Sequence, residues 1–396
     1  MVIVDASNLA TNFSINSTFD GVSANSIVSA TSTNYEYTSF FGNAVTLTGT
    51  GLIVDGSNFL IGGTVTSISI DLDNNESVDI SITGLNLLGA DIFAAAASST
   101  DAFWELVLDG PTQIIQPSSA RNFVFASDFN FVTEGSHVGG NDVFSSTGVA
   151  PEGFLTGDAL VAEGTATLTG GNDSIDNAED GSGDVIQVRG SATLTGGDDA
   201  IIFAVDMTTN GQTFITGDAF DALDSSQTTG GNDTIDLSVL VTSNGFAFGD
   251  IENADDSASI TGGNDTLIGG SDRDLLVGDV RRVEDQSSLI AGDDVIQGGD
   301  GDDIIFGDYQ TNTSTGQVIG GNDTLFGEGG NDELFGNEGD DTLNGGVGDD
   351  TLDGGVGDDT ILGGEGLDTI LGGDGADSLF GEDGNCLLYT SPSPRD

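Results

Sequence analysis

The sequence predicts an all-β chain in two parts. The first is a β-sandwich-like N-terminal domain with one short helix, and the second is a stacked coil of short strands carrying loop insertions. Three observations carry the prediction. Residues 327–385 repeat a nine-residue glycine/aspartate unit without a break, residues 139–326 carry a looser form of the same punctuation, and residues 1–135 alternate apolar and polar residues with period two.

In the N-terminal domain Ile68, Ile70 and Leu72 point one way. Val78, Ile80 and Ile82 do the same after the turn residues Asn74 and Asn75, which is the signature of an antiparallel hairpin. Phe13 with Ile15, and Val45 with Leu47, mark further strands. Between Asp91 and Leu108 the spacing of Ile92, Ala96, Phe103 and Val107 approximates a helical face, with Asp91 as N-cap and Gly110-Pro111 as the stop. Trp104 on that helix reads as a core residue. His137, the single histidine, reads as an exposed residue in a Gly/Ser loop.

From residue 139 a glycine-led motif places aspartates at Asp142, Asp173, Asp199, Asp233, Asp265, Asp294 and Asp323. A second Gly-Asp precedes six of them by a constant 15 residues, at Asp158, Asp184, Asp218, Asp250, Asp279 and Asp308. In the last copies the aspartates are 29 residues apart, which equals two nine-residue units plus an insertion of eleven. Residues 139–326 therefore read as the same coil with inserted loops.

From Gly327 the register is strict. Glycine opens a unit at Gly327, Gly336, Gly345, Gly354, Gly363, Gly372 and Gly381. Aspartate holds position 6 at Asp332, Asp341, Asp350, Asp359, Asp368 and Asp377, and Leu or Ile always holds position 8. The unit is G-G-x-G-x-D-x-U-x. Its six-residue glycine turn can aim carbonyls inward and adds a carboxylate, an all-oxygen donor set that suits Ca²⁺ and disfavours zinc or copper. The last three residues make a short strand with one apolar side chain facing inward. Two units close a flattened coil, and successive coils stack ~4.8 Å apart. Carboxylates at that spacing repel by roughly 1 kcal/mol in water and by more when buried, so a divalent ion between turns removes a real cost.

The chain holds 66 acidic residues against 6 basic ones, for a net charge of -60, which excludes nucleic acid and anionic membrane as partners and suits a cation. No apolar run approaches the ~18 residues of a membrane span. The N-terminus lacks the basic start and apolar core of a cleaved signal peptide. Residues Cys386 to Asp396 (CLLYTSPSPRD) read as translated sequencing adapter, because position 386 should be the next position-6 aspartate. The chain without them has no cysteine, and the natural chain is expected to run on past Asn385.

On these motifs the chain resembles RTX, or haemolysin-type calcium-binding repeat, proteins. The resemblance is strongest over 327–385, good over 262–326 and partial over 139–261. It implies a right-handed parallel β-roll, several bound Ca²⁺ ions and folding outside the cell. It also implies export from a Gram-negative bacterium through type I secretion machinery that reads a C-terminal signal, missing here. By position it makes metal ligands of Asp265, Asp274, Asp294, Asp303, Asp323, Asp332, Asp341, Asp350, Asp359, Asp368 and Asp377. With them come the turn glycines Gly298, Gly299 and Gly301; Gly345, Gly346 and Gly348; Gly354, Gly355 and Gly357; Gly363, Gly364 and Gly366; and Gly372, Gly373 and Gly375. Asp272 replaces a position-4 glycine, while Glu328, Asn337 and Glu382 replace position-2 glycines, and those turns are expected to bind more weakly.

Neither G-x-S-x-G nor H-E-x-x-H occurs, so the expected function is a non-enzymatic, secreted calcium-binding protein with an adhesive or surface-layer-like role. The alternative is the calcium-binding, secretion-linked part of a larger RTX enzyme or toxin whose catalytic module lies elsewhere. Alternate position-6 aspartates should fall on opposite edges of the roll. Asp274, Asp303, Asp332, Asp350 and Asp368 form the first edge. Asp265, Asp294, Asp323, Asp341, Asp359 and Asp377 form the second. Both insertions precede second-edge aspartates, so that column is expected to be opened by loops above Asp323. Val280 to Ser288 and Tyr309 to Gln317 are then the candidate partner-contact loops.

Overall fold

The computed structural model describes residues 159–176, 180–202, 213–240 and 244–382 almost continuously, and outside them chiefly the strands named below. Every regular element among the described residues is a strand. The candidate helix over 91–108 and Trp104 lie outside the described residues, as do Phe13 and Ile15. The hairpin is present: Leu60–Asp71 pairs antiparallel with Ile80–Leu88, placing Ile68 opposite Ile82 and Ile70 opposite Ile80. Ala44–Val54 joins it on the other side. Val2–Asp5 pairs antiparallel with Ile80–Leu88 and parallel with Thr112–Gln116, so this sheet runs directly into the parallel part of the chain.

From Thr112 onward every pairing is parallel and each strand meets its equivalent one coil later. Two faces run the length of the stack. Sheet A contains Ser174–Asp176, Ala200–Ile202, Thr234–Asp236, Thr266–Ile268, Val295–Asp300, Thr324–Gly329, Thr342–Val347, Thr360–Glu365 and Ser378–Phe380. Sheet B contains Asp180–Ser182, Thr213–Thr216, Gly245–Phe248, Leu275–Val277, Ile304–Phe306, Glu333–Glu338, Thr351–Val356 and Thr369–Leu371. Leu387–Tyr389 continues sheet B in register.

The core between the faces follows from the position-8 aliphatic residue. Ile235, Leu267, Ile296, Leu325, Leu343 and Ile361 line sheet A, Leu276, Ile305, Leu334, Leu352 and Ile370 line sheet B, and all are 0% exposed. A column of one residue type at one register position works because parallel in-register stacking sets each aliphatic side chain on its own equivalent.

The inserted segments are where the structure departs from expectation. They are not loops. Each folds into two strands of a third sheet, for example Val280–Val283 with Ser288–Ile290 and Tyr309–Asn312 with Val318–Ile319, and these pair coil upon coil. Within this sheet C the two halves of each insertion enclose their own core, including Val185, Leu194, Ile251, Ile260, Val280, Val283 and Leu289. Val280 and Val283 are therefore buried and unavailable to a partner. Sequence pattern hid this because each eleven-residue insertion makes two strands of only two to four residues, too short for a period to show. His137 is a second correction: it sits within strand Phe129–Val138 opposite Leu168, because the ladder of sheet C supplies the pairing that the Gly/Ser sequence around it does not advertise.

Equivalent positions show where the insertion enters. Gly171 heads a vertical column of Gly197, Gly231, Gly263, Gly292, Gly321, Gly339, Gly357 and Gly375, each of these eight too close to the carbonyl of the one above to admit a Cβ. They are position 4 of the second-edge turn. Gly278-Asp279 and Gly307-Asp308 are then positions 1 and 2, and sheet C is spliced between positions 2 and 4. The wide coils give way to narrow ones after Ile319, where sheet C stops. Glu328, Asn337 and Glu382 keep the left-handed backbone of the glycines they replace, at φ 71, 76 and 50. For Glu328 and Glu382 that conformation costs about 1 kcal/mol.

This splice gives a direct test. Deleting residues 309–319 leaves Gly307-Asp308-Gly320-Gly321-Asn322-Asp323, a regular nonapeptide turn at the end of sheet C. The calcium-bound protein is expected to keep its thermal midpoint within a few degrees. Deleting 251–261 also restores a regular turn but cuts sheet C in two. Exposing roughly 200 Å² of apolar surface there should destabilise the protein by about 5 kcal/mol in thermal or denaturant unfolding. Equal losses in the two variants would show that the splice is misplaced.

Candidate metal centre

Each glycine turn reverses the chain between sheets A and B and leaves its aspartate where the next strand begins. In the turn of Asp350, the strand Thr342–Val347 ends just before Gly348 and the strand Thr351–Val356 starts just after Asp350. Gly348 takes φ 150 and packs against the Gly330 carbonyl, a contact that no side chain could replace. Tight turns in register therefore bring the position-6 aspartates into vertical files.

On the first edge the backbone N–H of Asp274 donates to Asp303 Oδ1 at 2.8 Å, that of Asp303 to Asp332 Oδ1 at 2.8 Å, that of Asp332 to Asp350 Oδ1 at 2.9 Å and that of Asp350 to Asp368 Oδ1 at 3.2 Å. The file is unbroken from Asp274 to Asp368, and above it Gly245 N–H donates to Asp274 Oδ1 at 2.6 Å. On the second edge the same link runs from Asp173 through Asp199, Asp233, Asp265, Asp294, Asp323, Asp341 and Asp359 to Asp377. The expectation that insertions open this edge above Asp323 is overturned. Sheet C leaves and re-enters between positions 2 and 4, so position 6 never loses its place.

With Oδ1 satisfied, the second carboxylate oxygen is the chemically informative atom. Oδ2 of Asp303, Asp332, Asp350, Asp368, Asp323, Asp341 and Asp359 is buried and accepts no hydrogen bond. It faces a glycine-lined gap: a Cβ on Gly298 would lie 2.6 Å from Asp303 Oδ2 and 2.8 Å from the Gly327 carbonyl oxygen. The equivalent gap at Gly345 is bounded by Asp350 Oδ2 and the Gly363 carbonyl, and that at Gly354 by Asp359 Oδ2 and the Gly372 carbonyl. Carboxylate and carbonyl oxygens from successive turns thus converge on one cradle, which fits a hard cation with flexible coordination such as Ca²⁺.

Among the predicted turn residues, Gly299, Gly346, Gly355, Gly364 and Gly373 hold positive φ at position 2, and Gly301, Gly348, Gly357 and Gly366 do so at position 4. Gly363, Gly372 and Gly375 pack as closely on the neighbouring turn as the rest. Asp272 occupies its position-4 site without left-handed backbone, and its carbonyl rests against Gly301. Asp274 differs from the aspartates below it, since its Oδ2 accepts from Gly270 N–H at 2.6 Å.

Sequence reading did not count as site residues the position-2 aspartates Asp184, Asp218, Asp250, Asp279 and Asp308, all 0% exposed. The signal was the constant 15-residue spacing; what it lacked was the recognition that those Gly-Asp pairs are the first half of a split turn.

Electrostatics show what the metal-free fold would demand. Burial first, and then the neighbouring carboxylates, push Asp303 and Asp341 up to about 8, Asp350 to about 7 and Asp323 to about 10. Asp274, Asp332 and Asp359 rise to about 6, chiefly through burial. A raised carboxyl pKa means that the folded state holds more protons than the unfolded chain, so without metal stability falls as pH rises from about 4 to about 8. Calcium needs the deprotonated form, so its affinity should climb across the same window. In chelator the chain should gain β signal on acidification from pH 8 to pH 5, whereas calorimetric calcium affinity should drop. A chelated chain indifferent to pH would contradict the assignment.

The two carboxylates of one unit give a second test. Asp350 occupies the cradle, while Asp353, at position 9, lies outside it. Asp350→Ala is expected to weaken calcium binding by about tenfold or more at the sites its turn borders, and Asp353→Ala to leave it nearly unchanged in calorimetry. Equal effects would mean that bulk charge, not turn geometry, holds the ion.

The family model of the RTX calcium-binding nonapeptide repeat matches this chain in four copies, at residues 260–280, 291–313, 319–352 and 353–385. Its interruptions, 281–290 and 314–318, fall within strands and turns of sheet C, the segment spliced into the turn. No curated protein matches the chain. Parallel strands stacked in register, glycine turns that admit no side chain and files of buried aspartates facing all-oxygen cradles together show that residues 260–385 are an array of RTX calcium-binding nonapeptide repeats.

Proposed function

We propose that the chain is a secreted, non-enzymatic protein that completes its fold on meeting calcium outside the cell and acts by adhesion or association with a surface. The observation that carries this reading is the row of buried aspartate oxygens without a hydrogen-bond donor. An ionised carboxylate sealed from water costs several kcal/mol unless a counter-charge reaches it, so the compact state and the cation belong together. Sites of this open, carbonyl-rich kind in extracellular modules bind at ~10⁻⁴–10⁻³ M, above the free calcium of a cytoplasm and within that of an external medium. The net charge of -60 keeps the metal-free chain expanded, a state suited to passage through a type I secretion channel.

A non-enzymatic role is supported by the distribution of acids. The buried carboxylates among the described residues belong to turn files and are shared between coils. A surface role is supported by the outer rank of sheet C, where Thr169, Thr195, Thr229 and Thr261 stand exposed and in register, a flat ladder of hydroxyl groups. Among the described residues no helix is long and apolar enough to cross a membrane.

Far-UV circular dichroism of the whole chain should shift from largely disordered to β between chelator and millimolar Ca²⁺ at neutral pH, with magnesium far less effective. Identical spectra with and without calcium would remove the basis of the proposal.

A further inference from the structure

The wide and narrow coils differ at the second edge in one chemical respect. Position 2 of the turn is Asp218, Asp250, Asp279 or Asp308 where sheet C is present, and Asn337, Gly355 or Gly373 where it is not. One task of these aspartates is plain. Asp279 accepts the N–H of Gly292 at 2.8 Å and Asp308 that of Gly321 at 2.7 Å, and Asp250 accepts from Gly263 at 3.0 Å, in each case closing the neck of the inserted segment.

Asp250 turns both oxygens to Gly263 and Asp308 gives its second to the Glu338 N–H, but in Asp218 and Asp279 closing the neck uses one oxygen. The other, Oδ2 in Asp218 and Asp279, is buried without any donor, and so are Oδ2 of the position-6 aspartates Asp233, Asp265 and Asp294. The side chains of these five residues are at most 2% exposed. They converge on shared gaps. A Cβ on Gly262 would lie 2.7 Å from Asp250 Oδ2 and would collide on its other side with Asp279, and one on Gly230 would lie 2.8 Å from Asp218 Oδ2 and collide with Asp250. In the uppermost described coils the trio Asp173, Asp184 and Asp199 brings one oxygen from each residue within 4.8 Å of the others. Asp233, Asp250 and Asp265 hold the same register positions two coils on, and Asp265, Asp279 and Asp294 three coils on, with their oxygens less closely gathered than in the first trio. The one ion pair among the described residues, Arg281 with Glu252, is partly buried, and its guanidinium bonds to Glu252 and Gln310 rather than to these aspartates.

Charge arithmetic separates these gaps from the narrow turns. A wide coil adds two carboxylates to the second edge and a narrow coil one, so one divalent ion per wide coil balances the buried charge in full.

We propose that the wide coils hold a further file of calcium ions, each between a position-2 aspartate and the position-6 aspartates of adjacent coils, with Asp218, Asp233, Asp250, Asp265, Asp279 and Asp294 as the ligands. The proposal rests on the calcium reading of the regular turns; it gives position 2 a metal-binding role within the matched repeats, at Asp279, and extends binding upstream of them, at Asp218, Asp233 and Asp250. In it, position 2 changes from a glycine that only makes a turn to an aspartate that both closes the neck of sheet C and holds metal.

Crystals of the whole chain grown in calcium and measured for calcium anomalous scattering test it. Peaks between Asp250 and Asp265 and between Asp279 and Asp294, in addition to peaks at Asp332 and Asp350, are the expected result. Peaks confined to the regular turns overturn this proposal alone, and peaks in neither place overturn the calcium reading beneath it. In solution, Asp250→Asn keeps an acceptor for Gly263 but loses the charge. It should lower the number of calcium ions bound per chain in equilibrium dialysis and weaken the bordering sites by about tenfold, while an unchanged count and affinity would overturn the assignment.

Discussion

Everything in this solenoid depends on placing carboxylates one above another in a dry turn. The glycines are there because nothing larger fits between successive turns, and the aliphatic column is there because each short strand has one inward position. The aspartate file turns these local necessities into a single structure. Below Asp274, one oxygen of each position-6 aspartate on the first edge receives an amide from the coil before it, and the other waits for a cation. Hydrogen bonding sets the register, and metal charge makes that register tolerable.

Much of this was legible in the sequence because position and chemistry coincide in a nine-residue unit. Asp350 and Leu352 declare their roles by recurring at positions 6 and 8, and the division of aspartates into two edges follows from two units per coil. The candidate ligands Asp303, Asp332 and Asp368 lie where that arithmetic puts them. Sheet C was not legible, because from residue 185 on its strands are two to four residues long and each insertion has only eleven residues in which to make two of them. A segment such as Val280–Val283 carries two arginines between two valines and resembles a loop until its neighbours above and below are known. The unbroken second edge was missed for the same reason. The spacing of Asp279 and Asp294 looks like an interruption when read along the chain, yet the two residues meet in space.

The splice between positions 2 and 4 also explains how wide and narrow coils share one stack. Both faces of the A and B sandwich keep their register whether the second turn holds three residues or a two-stranded lobe. Width is thereby uncoupled from height. Coils of 34, 32, 29 and 18 residues follow one another along sheet A with every position-8 side chain still on its neighbour, from Ile201 through Ile235, Leu267, Ile296 and Leu325 to Leu343.

The position-6 aspartate links all run one way, from an amide of the earlier coil to a carboxylate of the later, while the exposed position-5 links run the other way, as from Asn331 N–H to Asp302 and from Asp358 N–H to Asp340. A stack built on this rule is polar along its axis, and its two ends are chemically unlike. In the buried position-6 file the advancing end presents turn amides that await an acceptor and the trailing end presents carboxylates, and in the exposed position-5 file the roles are exchanged. A stack therefore grows only by adding a coil that brings its own anion, and whatever terminates it must supply that anion in another form. The two ends of such a stack are complementary to each other, so a terminating segment does more than shield apolar residues: it prevents one solenoid from serving as the next coil of another.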